Sequence, residues 1–403
     1  MIGIEEARAR IRANLPPRRR EQRDLLAAAG AVLSEDFAAR FPSPAFSNSA
    51  MDGFAVRYED VRTAAATSPV TLKIVGESRA GHPFSGRVGP GEAVQISTGA
   101  AVPEGADTVV PVEETAVAEN RVQVCRTVKP RQHVRLRGEE FEAGELLLRK
   151  GTAVTPAVIG LLASQGVSRV TVYRRPRIAV LVTGSELLPL ETGSCEEGKI
   201  WDSNSYMLAA AAAQVGGEVV FRDRAEDQVE RLQQKLKQAA AGSDLVVVSG
   251  GVSVGPHDLV KNTARTLGFE PLFWKVNQKP GKPLFVARRR EQLLFGLPGN
   301  PVSALMCFVY YVAPAVRFLC GREFVWRTRR GVLVEEAANS GKRTLFCRVR
   351  FAPDAGEAGI EPLPRQNSHM LTSVVGADGF VLIGPGEVLR KGAAVTVYLF
   401  PWR

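Results

Sequence analysis

Asp244-Leu245-Val246-Val247-Val248-Ser249-Gly250-Gly251-Val252-Ser253-Val254-Gly255-Pro256-His257-Asp258 decides the fold of this chain. An apolar run rich in valine stops at a turn of serine and glycine, and residues 259–267 then take helical spacing. A strand without polar alternation is buried on both faces, as the strands of parallel sheets are. The same rhythm continues on either side. Apolar runs at 178–182, 218–221, 272–276, 284–287 and 293–295 alternate with helical segments at 205–215, 229–241 and 302–319. Residues 175–321 are therefore expected to form a doubly wound α/β domain, with a mostly parallel sheet and helices on both faces.

The flanks have other textures. Residues 4–15 and 25–40 carry helical spacing, separated by the breaker Pro16-Pro17-Arg18-Arg19-Arg20. From about 42 to 132, short β-branched runs (70–75, 94–96, 108–112, 121–128) alternate with Gly and Pro turns, which predicts a small β-rich domain. Helical character returns at 153–165, followed by a short strand at 169–173. The N-terminal helices and this later helix then make one body, with the β-rich piece inserted between them. After residue 322 short strands resume around Asp354-Ala355-Gly356 and Gly384-Pro385-Gly386, so the tail reads as a compact all-β domain.

A chain of 403 residues exceeds one ordinary core. Its 45% hydrophobic and 23% charged residues are those of a soluble globular protein. The net charge of +10 suits an anionic partner, whether nucleic acid, a membrane surface or a phosphorylated small molecule; the plainer reading is a solvated basic surface. The five cysteines form no CxxC pair and are odd in number, which speaks against a disulfide framework or zinc site and for a reducing compartment. The N-terminus is charged and carries no signal-peptide core. Residues 303–320 have the length of a minimal membrane span, but Pro314 and Arg317 interrupt them, and a buried helix is expected instead.

Ligands of open α/β sheets bind beyond the carboxyl ends of the strands. There this sequence places Thr183-Gly184-Ser185-Glu186, Arg222 to Asp227, Ser249 to Asp258, Lys279-Pro280-Gly281-Lys282-Pro283 and Gly296 to Pro301. Any one is an ordinary loop; five on one edge point to phosphate handling. Gly250, Gly251 and Gly255 let backbone N–H groups approach an anion. Asn300 is placed to cap the next helix, Pro301 fits its first turn, and that helix start favours a phosphate. Lys279 and Lys282 supply positive charge. Asp227 and Asp258 are the hard oxygen ligands that Mg2+ takes when it also holds phosphates. The absence of GxxxxGK[ST] speaks against a Walker-type ATPase, and the four histidines lack metal-ligand spacing, although His257 borders the glycine loop.

Together these strings resemble the molybdopterin molybdenumtransferase family, over nearly the whole chain. The most specific are Ser49-Ala50-Met51-Asp52-Gly53-Phe54-Ala55-Val56, Ile96-Ser97-Thr98-Gly99-Ala100, Ser249 to Gly255, Lys279 to Pro283 and Gly296 to Pro301. The resemblance implies four domains, which fall at 1–45 with 137–174 (N-terminal, elongated and helical), 46–136 (the β-rich insert), 175–321 (α/β) and 322–403 (C-terminal, β-barrel-like). It implies a cytoplasmic transferase of molybdenum cofactor biosynthesis that is a homodimer. Its cleft would lie between the α/β domain of one subunit and the insert of the other. The implied substrates are adenylylated molybdopterin and molybdate, with Mg2+ as cofactor and AMP as product. Implied partners are the preceding adenylyltransferase and recipient molybdoenzymes, with no nucleic acid and no membrane.

Position by position, the resemblance makes Asp227 and Asp258 the metal-site acids and Lys275, Lys279 and Lys282 the basic residues. It places Asp52, Thr98, Glu140 and Glu186 in catalytic positions. Ser249, Gly250, Gly251, Ser253, Gly255, Pro298, Gly299, Asn300 and Pro301 would bind the cofactor being built. Arg348 and Ser368 would hold the oxyanion, an arrangement that also suits a tetrahedral anion on physical grounds. Two positions depart from the family pattern: Ser47 replaces the first Asp of Asp-Asn-Ser-Ala-Met-Asp-Gly, and Glu140 replaces the Asp of Arg-Gly-Glu-Asp. They keep open a second reading, an impaired paralogue that binds pterin or acts as a scaffold. An adenylyltransferase would need neither β domain, and a nucleic-acid binder would need a basic-aromatic motif that is missing.

Overall fold

The computed structural model describes residues 1–194, 196–252, 259–352 and 359–403. Ser253, Gly255, His257 and Asp258 lie outside the described residues. The chain packs as two units, one of residues 1–34, 153–156 and 169–403, the other of residues 35–152 and 157–168.

The first unit opens with helix α1, Ile4–Ala13, which buries Ala7 and Ile11 one turn apart. Its acids Glu5 and Glu6 sit in the first turn and its arginines in the last, as the helix dipole favours. The α/β sheet follows, built from β1 (Arg177–Thr183), β2 (Glu218–Ala225), β3 (Leu245–Ser249), β4 (Glu270–Trp274), β5 (Phe285–Arg289) and β6 (Gln292–Leu297) in the order β2-β1-β3-β6-β5-β4. β2, β1, β3 and β6 are parallel; β5 is antiparallel to both β6 and β4. β4 therefore points the same way as β6, and β5 is the one reversed strand. Five carboxyl ends share one edge. The helices are α2 (Asn204–Gln214), α3 (Val229–Ala240), α4 (Leu259–Thr266) and α5 (Pro301–Leu319).

Apolar spacing explains the layers. α3 buries Leu232, Leu236, Ala239 and Ala240, a single helical stripe. Alternate residues of β1 and β3 feed two cores. Ile178, Val180, Leu245 and Val247 join α1, α2 and α5, while Ala179, Leu181, Val246 and Val248 join α3 and α4. The long apolar helix α5 is a core helix as expected: 89% of its most apolar window is buried inside the protein. Its middle, Phe308–Val312, widens to π geometry just before Pro314, which has no N–H to donate.

The C-terminal strands β7 (Thr328–Leu333), β8 (Thr344–Phe351), β9 (Gly359–Pro362), β10 (Gly379–Ile383) and β11 (Ala394–Leu399) close on themselves. β8 pairs with both β9 and β10, and β7 joins β9 to β11, which gives the expected barrel.

The expected helix at 25–40 does not form. Only a 3-10 turn, Leu26–Ala28, appears, and the backbone then pairs outward. Gly30 N donates to Val154 O, Val154 N donates to Ala31 O, and Ser34 N donates to Thr171 O. Gly30 has φ +76, which an Ala-rich helix would not hold. Arg20, read as the end of the breaker, and residues 21–24, which carried no expected element, form a strand antiparallel to Arg169–Tyr173.

The second unit holds a six-stranded sheet in the order Thr108–Pro111, Gly53–Val56, Glu92–Ile96, Val70–Ser78, Arg121–Val124, Thr115–Ala118. Gly53 carries meaning here: a Cβ on it would stand 2.0 Å from Val110 O, so only glycine lets the two strands approach.

Candidate active site

Strand ends carry Thr183, Asp227 and the Gly250–Gly251 turn of the first unit's rim. Thr183 closes β1, and its hydroxyl donates to Asp227 Oδ1 at 2.8 Å, just beyond β2. Ser185 N donates to Asp227 Oδ2 at 3.2 Å, and Asp227 N returns a bond to Ser185 Oγ at 3.2 Å. These bonds fix the carboxylate while leaving it exposed to solvent. Gly250 follows β3 with φ +95, and a Cβ there would meet Thr183 O at 2.3 Å. A Cβ on Gly251 would lie 3.2 Å from Thr183 Oγ1. The glycine turn thus presses its backbone against the group that holds Asp227. Glu186, two residues beyond Gly184, is exposed and reaches back over that glycine: a Cβ there would meet Glu186 Oε2 at 2.6 Å.

The next loops are tied by buried polar groups. Ser249 Oγ donates to Pro298 O at 3.0 Å and accepts from Asn204 Nδ2 at 3.0 Å. The same Asn204 amide donates to Gly299 O at 2.7 Å, so β3, β6 and the start of α2 meet at one point. Asn204 Oδ1 is buried with no hydrogen-bond partner among the described residues, an acceptor left open at the rim.

Asn300 occupies the N-cap position of α5 and Pro301 its first turn, as expected, but Asn300 makes no side-chain cap. Its Nδ2 instead donates to Ser368 Oγ at 3.0 Å, and Val302 N donates to Ser368 O at 3.1 Å. Arg348, on β8, reaches the carbonyls of Arg365 and Asn367 with one nitrogen at 3.3 and 3.5 Å. It is fully buried, and its Nε and other terminal nitrogen have no partner among the described residues. Burial lowers its pKa to about 10. A buried guanidinium with unused N–H groups beside a serine and a helix N-terminus has the donor set that an oxyanion takes.

Lys279 and Lys282 are exposed on the connection from β4 to β5, across a cis Lys279–Pro280 bond. Buried Gln278 anchors them. Its amide nitrogen donates to Pro280 O at 3.1 Å, and its Oε1 accepts from the Tyr311 hydroxyl of α5. Gln278 and Lys279 also pair with Thr344 and Leu345 of β8, the strand that carries Arg348. Lys275 has φ +69 and its ammonium rests 3.8 Å from the Trp274 ring centroid.

In the second unit Asp52 and Thr98 do meet. Asp52 Oδ1 accepts from Thr98 N at 2.6 Å and from Thr98 Oγ1 at 3.1 Å, and both residues are exposed. Glu140 accepts from Ser43 Oγ at 2.6 Å, and Ser47 Oγ accepts from Arg137 N at 3.2 Å.

Sequence reasoning missed Thr183, Ser185, Asn204 and Gln278. The first two stood in the Thr-Gly-Ser-Glu string already placed at a strand end. Asn204 and Gln278 carried no motif, and their roles follow from burial alone. Among the described residues no group of three or more His, Cys, Asp or Glu is gathered for a metal. Mg2+ takes one or two carboxylates along with phosphate oxygens and water. The exposed Asp227 carboxylate, whose position is fixed by neutral donors, fits that pattern.

An α/β domain with its polar loops on one edge, joined to a closed β-barrel, places the chain among multidomain proteins that handle an anionic ligand at a sheet rim. Family models match in three consecutive stretches: MoeA N-terminal region (domain I and II) over residues 2–166, probable molybdopterin binding domain over 179–317, and MoeA C-terminal region (domain IV) over 330–400. The chain is 40% identical over 326 residues to a molybdopterin molybdenumtransferase of Nostoc, covering 79% of this chain and 74% of that protein. It is 33% identical over 370 residues to one of Staphylococcus aureus, covering 91% and 88%. The crystal structure of a molybdopterin biosynthesis MoeA protein of Pyrococcus horikoshii superposes with TM-score 0.88 at 31% identity, covering 99% of each chain. The chain belongs to the molybdopterin molybdenumtransferase family and is a transferase of molybdenum cofactor biosynthesis.

Proposed function

We propose that the enzyme takes adenylylated molybdopterin and molybdate, inserts the metal into the pterin and releases AMP. The observation that carries this reading is a set of contacts along the rim: Thr183 to Asp227, Ser249 to Pro298, Asn204 to Ser249 and Gly299, and Asn300 to Ser368 beside Arg348. It links an exposed acid, glycine-turn amides and an oxyanion cradle, one for each charged part of the two substrates.

The substrate already carries an activated phosphate bond, so no separate nucleotide is consumed. Gly250 N already donates to Leu297 O at 3.1 Å, so the turn would present the Gly251 N–H to the adenylyl phosphate, with Gly250 allowing the close approach, and Lys279 and Lys282 would stabilise charge developing on the oxygen that leaves with AMP. Arg348, Ser368 and the α5 N-terminus would hold molybdate in place for transfer. Asp227, with Asp258, would hold Mg2+, whose chemistry when bound is to polarise the phosphate. Asp52, Thr98, Glu140, Glu186 and Lys275 are read as completing the cleft, with Asp52 and Thr98 supplied by the second subunit of a homodimer. Positioning and electrostatics supply the rate, since no side chain stands out as a covalent nucleophile.

The test is incubation with adenylylated molybdopterin, Mg2+ and molybdate while AMP and mature cofactor are followed together. Stoichiometric appearance of both supports the proposal. Tight binding of the adenylylated pterin with no AMP release would support the impaired, binding-only paralogue instead.

A further inference from the structure

A cavity of about 370 Å3 lies at the opposite, amino edge of the α/β sheet. Five arginines line it, Arg23, Arg175, Arg317, Arg322 and Arg327, and no acidic residue does. It sits where α2 ends, where α5 ends and where the chain enters β1. The plain explanation is that arginines cap helix C-termini, and for part of the set it holds. Arg175 donates to Gly216 O at 3.1 Å and Gly217 O at 2.9 Å. Arg18, outside the cavity, covers the end of α5 by donating to Phe318 O and Arg322 O, each at 2.8 Å. Arg23 pairs with Glu21 at 2.6 Å, and Arg327 donates to Arg403 O at 2.9 Å.

Arg317 and Arg322 are left over. Neither side chain makes a hydrogen bond or an ion pair among the described residues, and Arg317 Nε is shut off from solvent with no partner. Burial and the neighbouring Arg322 and Arg327 lower the Arg317 pKa, the mark of a cation crowded by cations. Helix capping does not need these two groups, and the four guanidinium groups that have no acidic partner among the described residues, Arg175, Arg317, Arg322 and Arg327, repel each other unless an anion enters.

We propose that this cavity is a second anion site, which takes a short phosphate chain, free or carried on a nucleotide. Guanidinium forks match phosphate oxygens bidentately, and several forks around one space suit a chain better than a single phosphate. The volume falls at the low end of the roughly 300–1,000 Å3 common for small-ligand pockets. β1 runs seven residues from this edge to the rim, about 20 Å, so one ligand does not serve both places. A ligand here touches the C-terminal ends of α2 and α5, whose N-terminal ends carry Asn204 and follow Asn300.

The experiment is calorimetric titration of the full-length protein with tripolyphosphate, ATP and orthophosphate at about 0.15 M salt, where weak surface pairing is screened. The background carries Lys279→Gln and Lys282→Gln, to weaken the rim. One binding site for a chain anion is expected, weakened at least about tenfold by Arg317→Gln with Arg322→Gln. Arg322→Gln alone is the companion variant; this side chain is exposed, so the fold is not at risk, and a smaller weakening is expected. Equal affinity for tripolyphosphate and ATP identifies the phosphate chain as what is recognised, and tighter ATP identifies a nucleotide. Absence of chain-anion binding in the rim-weakened protein, or arginine variants that bind as tightly as their parent, would overturn the proposal.

Discussion

Replacing Arg348 with Met separates folding from function. The side chain is fully buried, carries a charge with no acidic partner, and leaves Nε and one terminal nitrogen unbonded. The fall of its pKa from 12.5 to about 10 corresponds to about 3 kcal/mol against the charged form in the folded protein. Met loses the two long bonds to Arg365 O and Asn367 O, at 3.3 and 3.5 Å, each worth about 1 kcal/mol. The balance favours Met by about 1 kcal/mol when no oxyanion is bound. The penalty applies while the folded guanidinium is charged, so the difference between the proteins is flat below about pH 10 and fades above it. The assay is the unfolding midpoint in urea at neutral pH, with and without molybdate. Wild type is expected to gain about 2.7 kcal/mol at molybdate concentrations about 100 times Kd, and Arg348→Met nothing. A variant about 2 kcal/mol less stable than wild type without oxyanion, or one that responds to molybdate as wild type does, would refute the reasoning.

Other perturbations follow from the same contacts. Asp227→Asn keeps the hydrogen bond from Thr183, loses the one from Ser185 N and removes the charge, so AMP release should fall by at least about 100-fold while unfolding shows a loss of only about 1 kcal/mol. Gly250→Ala places a Cβ 2.3 Å from Thr183 O at φ +95; a cost of at least about 2 kcal/mol is expected in thermal unfolding, together with loss of turnover. Gln278→Leu strands the Tyr311 hydroxyl and the carbonyl of Pro280, and a loss of about 2 kcal/mol in denaturant unfolding is expected. Burial raises Cys307 to about 12 and Cys320 and Cys347 to about 11. Unfolded thiols ionise near 8.5, so stability should hold below about pH 8 and decline as pH rises through 9, while at neutral pH an alkylating probe should modify Cys125 before these three.

The centre of the α/β sheet was legible because β1, β3 and β6 are buried on both faces and read as continuous apolar runs. The run Leu245 to Val248 followed by Ser249-Gly250-Gly251 was enough to place a strand, a turn and the ligand edge. Local spacing misled at 25–40, where an Ala-rich stretch looked helical but its backbone pairs with residues more than 100 positions away, a partnership no local pattern records. The reversal of β5 was likewise hidden, since parallel and antiparallel buried strands share a composition. At the site, Asp227 and the glycines stood out by type and position. The union of Arg348, Ser368 and Asn300 spans the α/β domain and the barrel, so apart from the family resemblance only the fold brings them together. The arginine cavity draws on five separate stretches of chain and left no motif at all.

The most direct test of the central claim is a crystal structure with adenylylated molybdopterin bound. The account predicts the adenylyl phosphate at the carboxyl edge of the sheet, with its oxygens on the Gly250–Gly251 turn and near Asp227. Clear density for that phosphate at the amino edge, or in contact with none of these residues, would contradict it.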